Sequence, residues 1–176
     1  MKIELLSTKY QVKQIEEADI PEVYTLCKSN PLYYQYCPPF VTINSIKEDL
    51  IILPKGKTLE DKYYIGFYED GSLVAIMDLI SGYPNPETAF IGFFMTDQQV
   101  QGKGVGTAII TEVCHYLKEI GFTAAKLAYV KGNYQSEAFW IRNHFGKTGV
   151  EVPAESYVLV GMQRYLQSNI IAVSRR

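Results

Sequence analysis

Short apolar segments along the chain predict the strands of a β-sheet. Residues 10–16 alternate between polar and apolar side chains, while residues 63–68 and 72–80 are apolar runs separated by Glu-Asp-Gly. A glycine-containing turn between two such runs predicts a β-hairpin. Residues 88–96 are apolar on both alternating faces, as expected for a central strand that is covered on both sides. Three further strands are predicted at residues 124–130, 147–152 and 156–166.

Apolar residues at helical spacing predict four helices between these strands. The strongest pattern covers residues 104–120, whose apolar residues share one side, and Gly121 follows as a helix terminator. Residues 29–40 are rich in proline and aromatic side chains, and we predict a loop there. The other helices are predicted to begin at Asp19, at the capping-box sequence of residues 45–48 and at Asn133.

The order of these elements is β-α-α-β-β-β-α-β-α-β-β, which predicts an α/β (α+β) fold. We expect a mixed, mostly antiparallel sheet of about seven strands with helices on both faces. The strand at 88–96, the helix at 104–120 and the strand at 124–130 form a parallel crossover within that sheet. We find neither internal repeats nor a linker, so residues 1–176 are interpreted as one domain.

Composition narrows the class of protein further. Hydrophobic residues make up 47% of the chain and charged residues 20%, as in ordinary globular proteins, and the formal net charge of −2 gives no general attraction to nucleic acid. The apolar runs are too short for a membrane span, and residues 1–14 do not resemble a signal peptide. Cys27, Cys37 and Cys114 lack the spacing of a disulfide framework or metal site. We therefore expect a cytoplasmic protein without a metal, a nucleic-acid partner or a membrane.

The sequence Gln-Gly-Lys-Gly-Val-Gly-Thr at residues 101–107 joins an apolar strand to the long helix. Glycine in a first helical turn costs about 0.5–1 kcal/mol relative to alanine, so a simple turn rarely needs three. Backbone N–H groups in such a loop, together with the positive end of the helix dipole, can bind a phosphate. The spacing does not match a P-loop, and Thr107 stands where a dinucleotide-binding motif needs glycine. A bare strand-to-helix turn remains the alternative to an anion site.

Residues 101–106 also match the pattern Q/R-x-x-G-x-G/A. This segment resembles the acyl-CoA-binding signature of the GNAT N-acetyltransferase superfamily, and the resemblance extends to the element order of nearly the whole chain. Residues 139–145 lie where that family has a segment like Y-x-x-x-G-F. The resemblance implies a GNAT-like acyl-CoA N-acyltransferase fold, in which the parallel pair of strands is splayed and acetyl-CoA is the co-substrate.

The same resemblance implies which residues bind acetyl-CoA. Its pyrophosphate would rest on backbone amides of the glycine loop, and its pantetheine arm would lie between the splayed strands, beside Met95 and Thr96. Asn133 matches an asparagine that opens the next helix in the family, although an ordinary helix cap is equally compatible. Ser136 lies where the family has Ala or Ser. The implied loop residues are Gln101, Gly102, Lys103, Gly104, Val105, Gly106 and Thr107.

Position 140 departs from the family pattern. Many GNAT enzymes have a tyrosine there that can protonate the departing CoA thiolate, whereas this chain has Trp140. An indole N–H can donate a hydrogen bond but is not an acid. Trp140 could instead form a wall beside the thiol, while another group acts as the acid or the thiolate leaves without one.

Asp78 and Glu87 are the candidates for the base that removes the proton of the attacking amine. Asp78 interrupts an apolar run, where burial would raise its pKa, although a solvent-facing strand end is an alternative. Glu87 directly precedes the strand at 88–96. By resemblance, Tyr33, Tyr34 and Tyr36 would wall the pocket for the acceptor amine, or else they simply seal the core beneath a loop.

These features predict an acyl-CoA-dependent N-acyltransferase. It would transfer acetyl from acetyl-CoA to a primary amine of a small molecule or peptide, by direct attack in a ternary complex. A non-catalytic acyl-CoA-binding or regulatory domain of the same fold is the alternative, and a nucleotide-binding enzyme fits the loop less well. A homodimer is possible if residues 156–166 form an exposed sheet edge.

Overall fold

The computed structural model describes residues 1–167 and contains one seven-stranded sheet in the order β1-β2-β3-β4-β5-β7-β6. Neighbouring strands are antiparallel except for β4 and β5, which are parallel. The predicted mixed, mostly antiparallel sheet is therefore confirmed. The strands are β1 (Gln11–Gln14), β2 (Lys62–Glu69), β3 (Ser72–Ser81), β4 (Thr88–Thr96), β5 (Ala124–Val130), β6 (Gly146–Pro153) and β7 (Val158–Tyr165).

Five α-helices connect these strands. They are α1 (Ile20–Lys28), α2 (Pro31–Tyr36), α3 (Ile43–Ile51), α4 (Val105–Glu119) and α5 (Tyr134–Arg142). α4 forms the crossover between the two parallel strands, as the apolar pattern predicted. None of the helices in residues 1–167 is long and apolar enough to cross a membrane.

The helices pack on both faces of the sheet, and β3 shows why. Ala75, Met77 and Leu79 belong to one apolar cluster, which also contains residues of α4 and α5. Ile76 points to the other face and belongs to a second cluster, with residues of α1 and α3. Because successive side chains of a strand point to opposite faces, a strand buried on both sides must be apolar at nearly every position.

The β2–β3 hairpin closes through Asp70 and Gly71, whose φ angles are 50° and 80°. Two consecutive residues with positive φ form the turn that matches the twist of the flanking strands. This is the hairpin that the Glu-Asp-Gly sequence predicted.

Two details of the helical region differ from the sequence prediction. The segment predicted as a loop at residues 29–40 contains the short helix α2, with Pro31 in its first turn, where proline is well tolerated. The capping-box helix begins earlier than predicted. The Thr42 hydroxyl accepts from the Ser45 backbone N–H at 3.0 Å, so Ser45 lies in the first turn and Thr42 is the cap.

The sheet edges also differ from the expectation. β7, which covers most of the predicted edge segment 156–166, lies between β5 and β6 and pairs with both. At this end of the sheet β6 is the edge strand, because β7 pairs with β5 on one side and with β6 on the other. Dimerisation through the 156–166 backbone is therefore excluded while this sheet is intact.

Candidate active site

A groove opens where β4 and β5 part. Their parallel register runs from Thr88↔Ala124 to Ile91↔Leu127 and then stops, although both strands continue. The register between β3 and β4 shifts at the same level, so that Asp78 lies opposite Phe93 and Gly92 is the extra residue of a bulge. A bulge bends its strand and ends regular pairing. The splay implied by the family resemblance thus coincides with an interruption of β4.

A side chain at Gly92 would crowd the carboxylate of Asp78. A Cβ built on Gly92 would lie 3.0 Å from Oδ2 of Asp78 on β3. Sequence analysis did not single out Gly92, yet an isolated glycine within an apolar strand is a recognised signal of a bulge or of close contact.

The groove is a cavity of about 260 Å³. Backbone groups along its β4 side have no partner strand in β5 beyond Ile91, so an extended ligand with amide groups can hydrogen bond to them. Its wall combines backbone and aromatic groups: Phe90, Ile91, Gly92, Phe93, Phe94, Leu127, Ala128, Tyr129, Val130, Asn133, Ser136, Trp140, Leu159, Tyr33, Cys37 and Tyr157. Met95 and Thr96 are absent from this wall, and Met95 packs into the cluster beneath α1 and α3.

The glycine loop lies between the end of β4 and α4. Gly102 and Gly104 have φ angles of 74° and 82°, which side-chain-bearing residues rarely adopt, and Gly104 is the N-cap of α4. Gly106 serves packing, because a Cβ there would lie 3.0 Å from the Phe139 ring. The N–H groups of the first turn of α4 have no intrahelical acceptor, which leaves them available to an anion. Lys103 is exposed beside them.

The side chain of Gln101 holds this loop in place. Its Nε2 donates to Asn30 Oδ1 at 2.6 Å and to the Thr96 carbonyl at 3.3 Å, and Asn30 Nδ2 donates to the same carbonyl at 3.0 Å. Asn30, which sequence analysis missed, thereby connects the start of α2 to the end of β4. Thr107 Oγ1 accepts from Asn143 Nδ2 at 3.4 Å. The side chains of Gln101 and Thr107 therefore have structural roles in addition to any contact with a ligand.

Asn133, Ser136 and Trp140 line the far side of the groove. Asn133 Oδ1 caps α5 by accepting from the Ser136 backbone N–H at 3.1 Å. Trp140 is 6% exposed and packs against aromatic rings on either side, with centroids 6.0 Å from Phe94 and 5.2 Å from Phe145. Position 140 is thus a packed wall of the groove.

A second cavity, of about 340 Å³, lies on the α1–α3 side and meets the groove. The residues that line both are Tyr33, Cys37, Gly92, Phe93 and Tyr157. Burial raises the pKa of Tyr33 well above its ordinary value, and the neighbouring Cys37 together with burial raises the pKa of Tyr157. Both hydroxyls therefore stay protonated at neutral pH.

Among the tyrosines proposed from sequence, Tyr33 and Tyr34 line this second cavity and Tyr36 does not. Tyr33 packs edge-on against Phe93, with ring centroids 5.5 Å apart, and Tyr34 packs against Phe40 at 5.0 Å. The aromatic segment thus contributes both to the core and to the cavity wall.

Asp78 lies in the wall of the second cavity and is 9% exposed. Its Oδ2 accepts from Lys62 Nζ at 2.7 Å, while its Oδ1 has no hydrogen-bond partner within residues 1–167. Burial raises the pKa of Asp78, although the hydrogen bond and charge of Lys62 oppose this. Lys62 itself is 6% exposed, so the pair is a buried ion pair with one free acceptor.

Asp49 on α3 also lines the second cavity and was missed by sequence analysis. Desolvation and the negative charge of Asp78 raise its pKa to about 6, while Lys62 has the opposite effect. The sequence offered little signal, because Asp49 lies in the polar part of a short helix. Glu87, in contrast, is exposed at the opposite end of β4 and lines neither cavity.

Comparison with known proteins agrees with this geometry. Residues 24–145 match the acetyltransferase (GNAT) family. An acetyltransferase from Thermus thermophilus is 19% identical, with a TM-score of 0.71 over 89% of this chain and 97% of that one. The ribosomal-protein-S18-alanine N-acetyltransferase from Escherichia coli is 12% identical, with a TM-score of 0.66 over 94% and 99%.

PaiA N-acetyltransferase from Thermoplasma acidophilum, solved in complex with coenzyme A, is 17% identical, with a TM-score of 0.64 over 89% of this chain and 98% of that one. A search of curated proteins found no match. The chain belongs to the GNAT acetyltransferase family, whose members use acetyl-CoA.

Proposed function

We propose that this protein transfers the acetyl group of acetyl-CoA to a primary amine of a small molecule, in a ternary complex. The observation that supports this most directly is the junction of the two cavities. One is a groove with unpaired strand backbone leading from the glycine loop, and the other contains carboxylates and aromatic walls. Because they meet at Phe93, an acyl donor in the first and an amine in the second would be held close together, which can contribute about 7 kcal/mol or more.

The residues present fit acetyl-CoA. The open N–H groups at the start of α4, with Lys103 beside them, suit a pyrophosphate. The β4 backbone beyond Gly92 suits the amides of a pantetheine arm, and a strand N–H there can polarise the thioester carbonyl. When bound, acetyl-CoA supplies the activated acetyl group. Asn133, Ser136 and Trp140 would enclose the arm on the α5 side.

Asp78 is the proposed base. Its free Oδ1 is an acceptor for the amine proton, and Lys62 fixes the orientation of the carboxylate. As the new C–N bond forms and the C–S bond breaks, this proton leaves the nitrogen and the electron pair of the C–S bond goes to sulfur. Tyr33 and Tyr157 have hydroxyl groups at the junction, and these would donate a hydrogen bond to the leaving thiolate in place of a tyrosine at position 140.

A thiol-release assay with acetyl-CoA and a panel of amines tests this proposal. We expect turnover with at least one small amine and a loss of about 10²-fold or more in kcat for Asp78→Asn. The replacement of the usual tyrosine by Trp140 favours one other candidate, an acyl-CoA-binding domain without activity. Calorimetric binding of CoA with no turnover of any amine would support that candidate, and absence of CoA binding would contradict both.

A further inference from the structure

The second cavity has an unusual balance of charge. Its lining, among residues 1–167, includes the carboxyls of Asp49 and Asp78 and no Lys, Arg or His. Lys62 offsets one of these charges through its ion pair with Asp78. With both carboxyls ionised, the cavity and its ion pair therefore have a net charge of about −1, which favours a cationic occupant.

The two carboxyls differ in depth. Asp78 is beside Gly92, which lines both cavities, and therefore lies near the junction where acetyl transfer would occur. Asp49 is an exposed residue on α3, and Ile52, which follows the same helix, is 64% exposed. Asp49 is therefore the more accessible of the two carboxyls, so a molecule that enters from solvent and reaches the junction would pass Asp49 before Asp78.

Two residues that line this cavity have a polar side-chain atom without a hydrogen-bond partner in the described part of the chain, which favours a ligand able to form hydrogen bonds. The Tyr64 hydroxyl and Asp78 Oδ1 are buried without a hydrogen-bond partner within residues 1–167, and both residues line this cavity. Tyr64 is only 1% exposed. An unpartnered buried polar atom destabilises the folded protein, and a ligand that supplies the missing hydrogen bonds would remove that penalty. A protonatable amine can supply such donors.

We propose that the acceptor is a linear aliphatic diamine or polyamine, with the reacting nitrogen near Asp78 and a second ammonium group held by Asp49. The aromatic walls, including Tyr34 and Phe93, suit the methylene chain between the two nitrogens. An acceptor with a carboxylate in place of the second ammonium would be repelled. This inference rests on the proposed function and narrows its substrate class.

Three acceptors of equal chain length test the inference: 1,5-diaminopentane, 1-aminopentane and 5-aminopentanoate. We expect kcat/KM to decrease in that order, with the diamine about tenfold better than the monoamine. Asp49→Asn should reduce the ratio of diamine to monoamine to about one. Glu48→Gln is the matched control, because it removes the same charge from the neighbouring exposed position and Glu48 does not line the cavity. The control should keep the tenfold ratio.

Calorimetric titration of 1,5-diaminopentane into the protein provides a readout that does not depend on turnover. Binding that weakens about tenfold in Asp49→Asn, and not in Glu48→Gln, supports the inference. Equal kcat/KM for the diamine and monoamine, or an equal loss of the ratio in both variants, overturns it while leaving the acetyltransferase proposal intact. If CoA does not bind and no amine is acetylated, the proposed function fails and this inference fails with it.

Discussion

The groove beside the glycine loop and the cavity beneath α3 are built from different materials. The groove depends on backbone: two glycines with positive φ, a bulge at Gly92 and a strand ladder that stops at Ile91. The cavity depends on side chains drawn from α1, α2, α3, β2, β3 and β4. A site built from backbone requires glycine at a few neighbouring positions, which is visible as a short sequence pattern. The shape and charge of a cavity lined by side chains can change with a single substitution. The proposed donor site and the proposed acceptor site therefore differ in how readily a single substitution would change them.

Truncating Trp140 should have the largest effect on stability. Trp140→Ala removes a buried indole packed among Phe94, Phe139 and Phe145, so we expect a loss of about 3–5 kcal/mol in the free energy of unfolding. Trp140→Phe keeps an aromatic ring and should bind CoA within about threefold of the wild type, because the groove binds through backbone. Urea denaturation and calorimetry provide the two measurements. Loss of CoA binding in the phenylalanine variant would contradict a backbone-built donor site.

Breaking the buried ion pair between Lys62 and Asp78 should have the second-largest effect on stability. Lys62→Met leaves Asp78 buried without its cation, and we expect a loss of about 3 kcal/mol or more in the free energy of unfolding. Adding Asp78→Asn to Lys62→Met should recover part of this loss, because the uncompensated charge is then removed. Chemical denaturation of the wild type, the two single variants and the double variant gives the free energies of unfolding for a double-mutant cycle. Additive losses would show that the two side chains do not interact as the structure indicates.

The glycine loop allows a comparison between two glycines with the same φ angle. Gly104 and Gly149 both have a φ of 82° and open space where a Cβ would lie. Alanine at either position should cost about 1–2 kcal/mol in stability. Only Gly104→Ala, however, should weaken CoA binding, by about tenfold or more, since it distorts the N-cap of α4. Equal CoA affinity in the two variants would contradict the proposal that the glycine loop binds CoA.

The pH dependence attributable to Asp49 should be the smallest effect. Its pKa in the folded protein, about 6, exceeds its ordinary value of 3.8, so folding favours the protonated form. Its contribution to stability is therefore greatest below about pH 4 and is lost as pH rises through about 6. Since Asp49 is exposed, solvent screening should keep the change below about 1 kcal/mol. The pH-dependent contribution of Asp49 is measured as the difference in unfolding free energy between wild type and Asp49→Asn, compared at pH 4.5 and pH 7.

Much of the glycine loop and of the helix after it could be predicted from sequence because their determinants are local. Glycine has the conformational freedom that the loop needs, and the apolar period of residues 104–120 predicted the helix that follows. Gly92 was missed, although its isolated position within an apolar strand signalled an irregularity. Gln101 was expected to contact the ligand, but its bonds to Asn30 and Thr96 depend on a contact between segments far apart in the chain.

The lining of the second cavity could be predicted only in part. The aromatic segment at residues 33–36 indicated a wall but not which rings would face the cavity, and Tyr36 does not. Asp78 was noticeable because a carboxylate interrupts an apolar run. Its partner Lys62 begins β2, and nothing in the local sequence distinguishes it from an ordinary surface lysine.

The sequence by itself determined the kind of sheet, the crossover helix and the backbone conformation of the glycine loop, because periodicity and glycine conformation act over a few neighbouring residues. Tertiary structure alone decided that Asp49 and Asp78 line the same cavity, that Lys62 neutralises Asp78 and that β7 is enclosed rather than exposed. These outcomes depend on strand order and on contacts between distant segments. Electrostatic coupling depends on separation in space, which one-dimensional spacing does not specify.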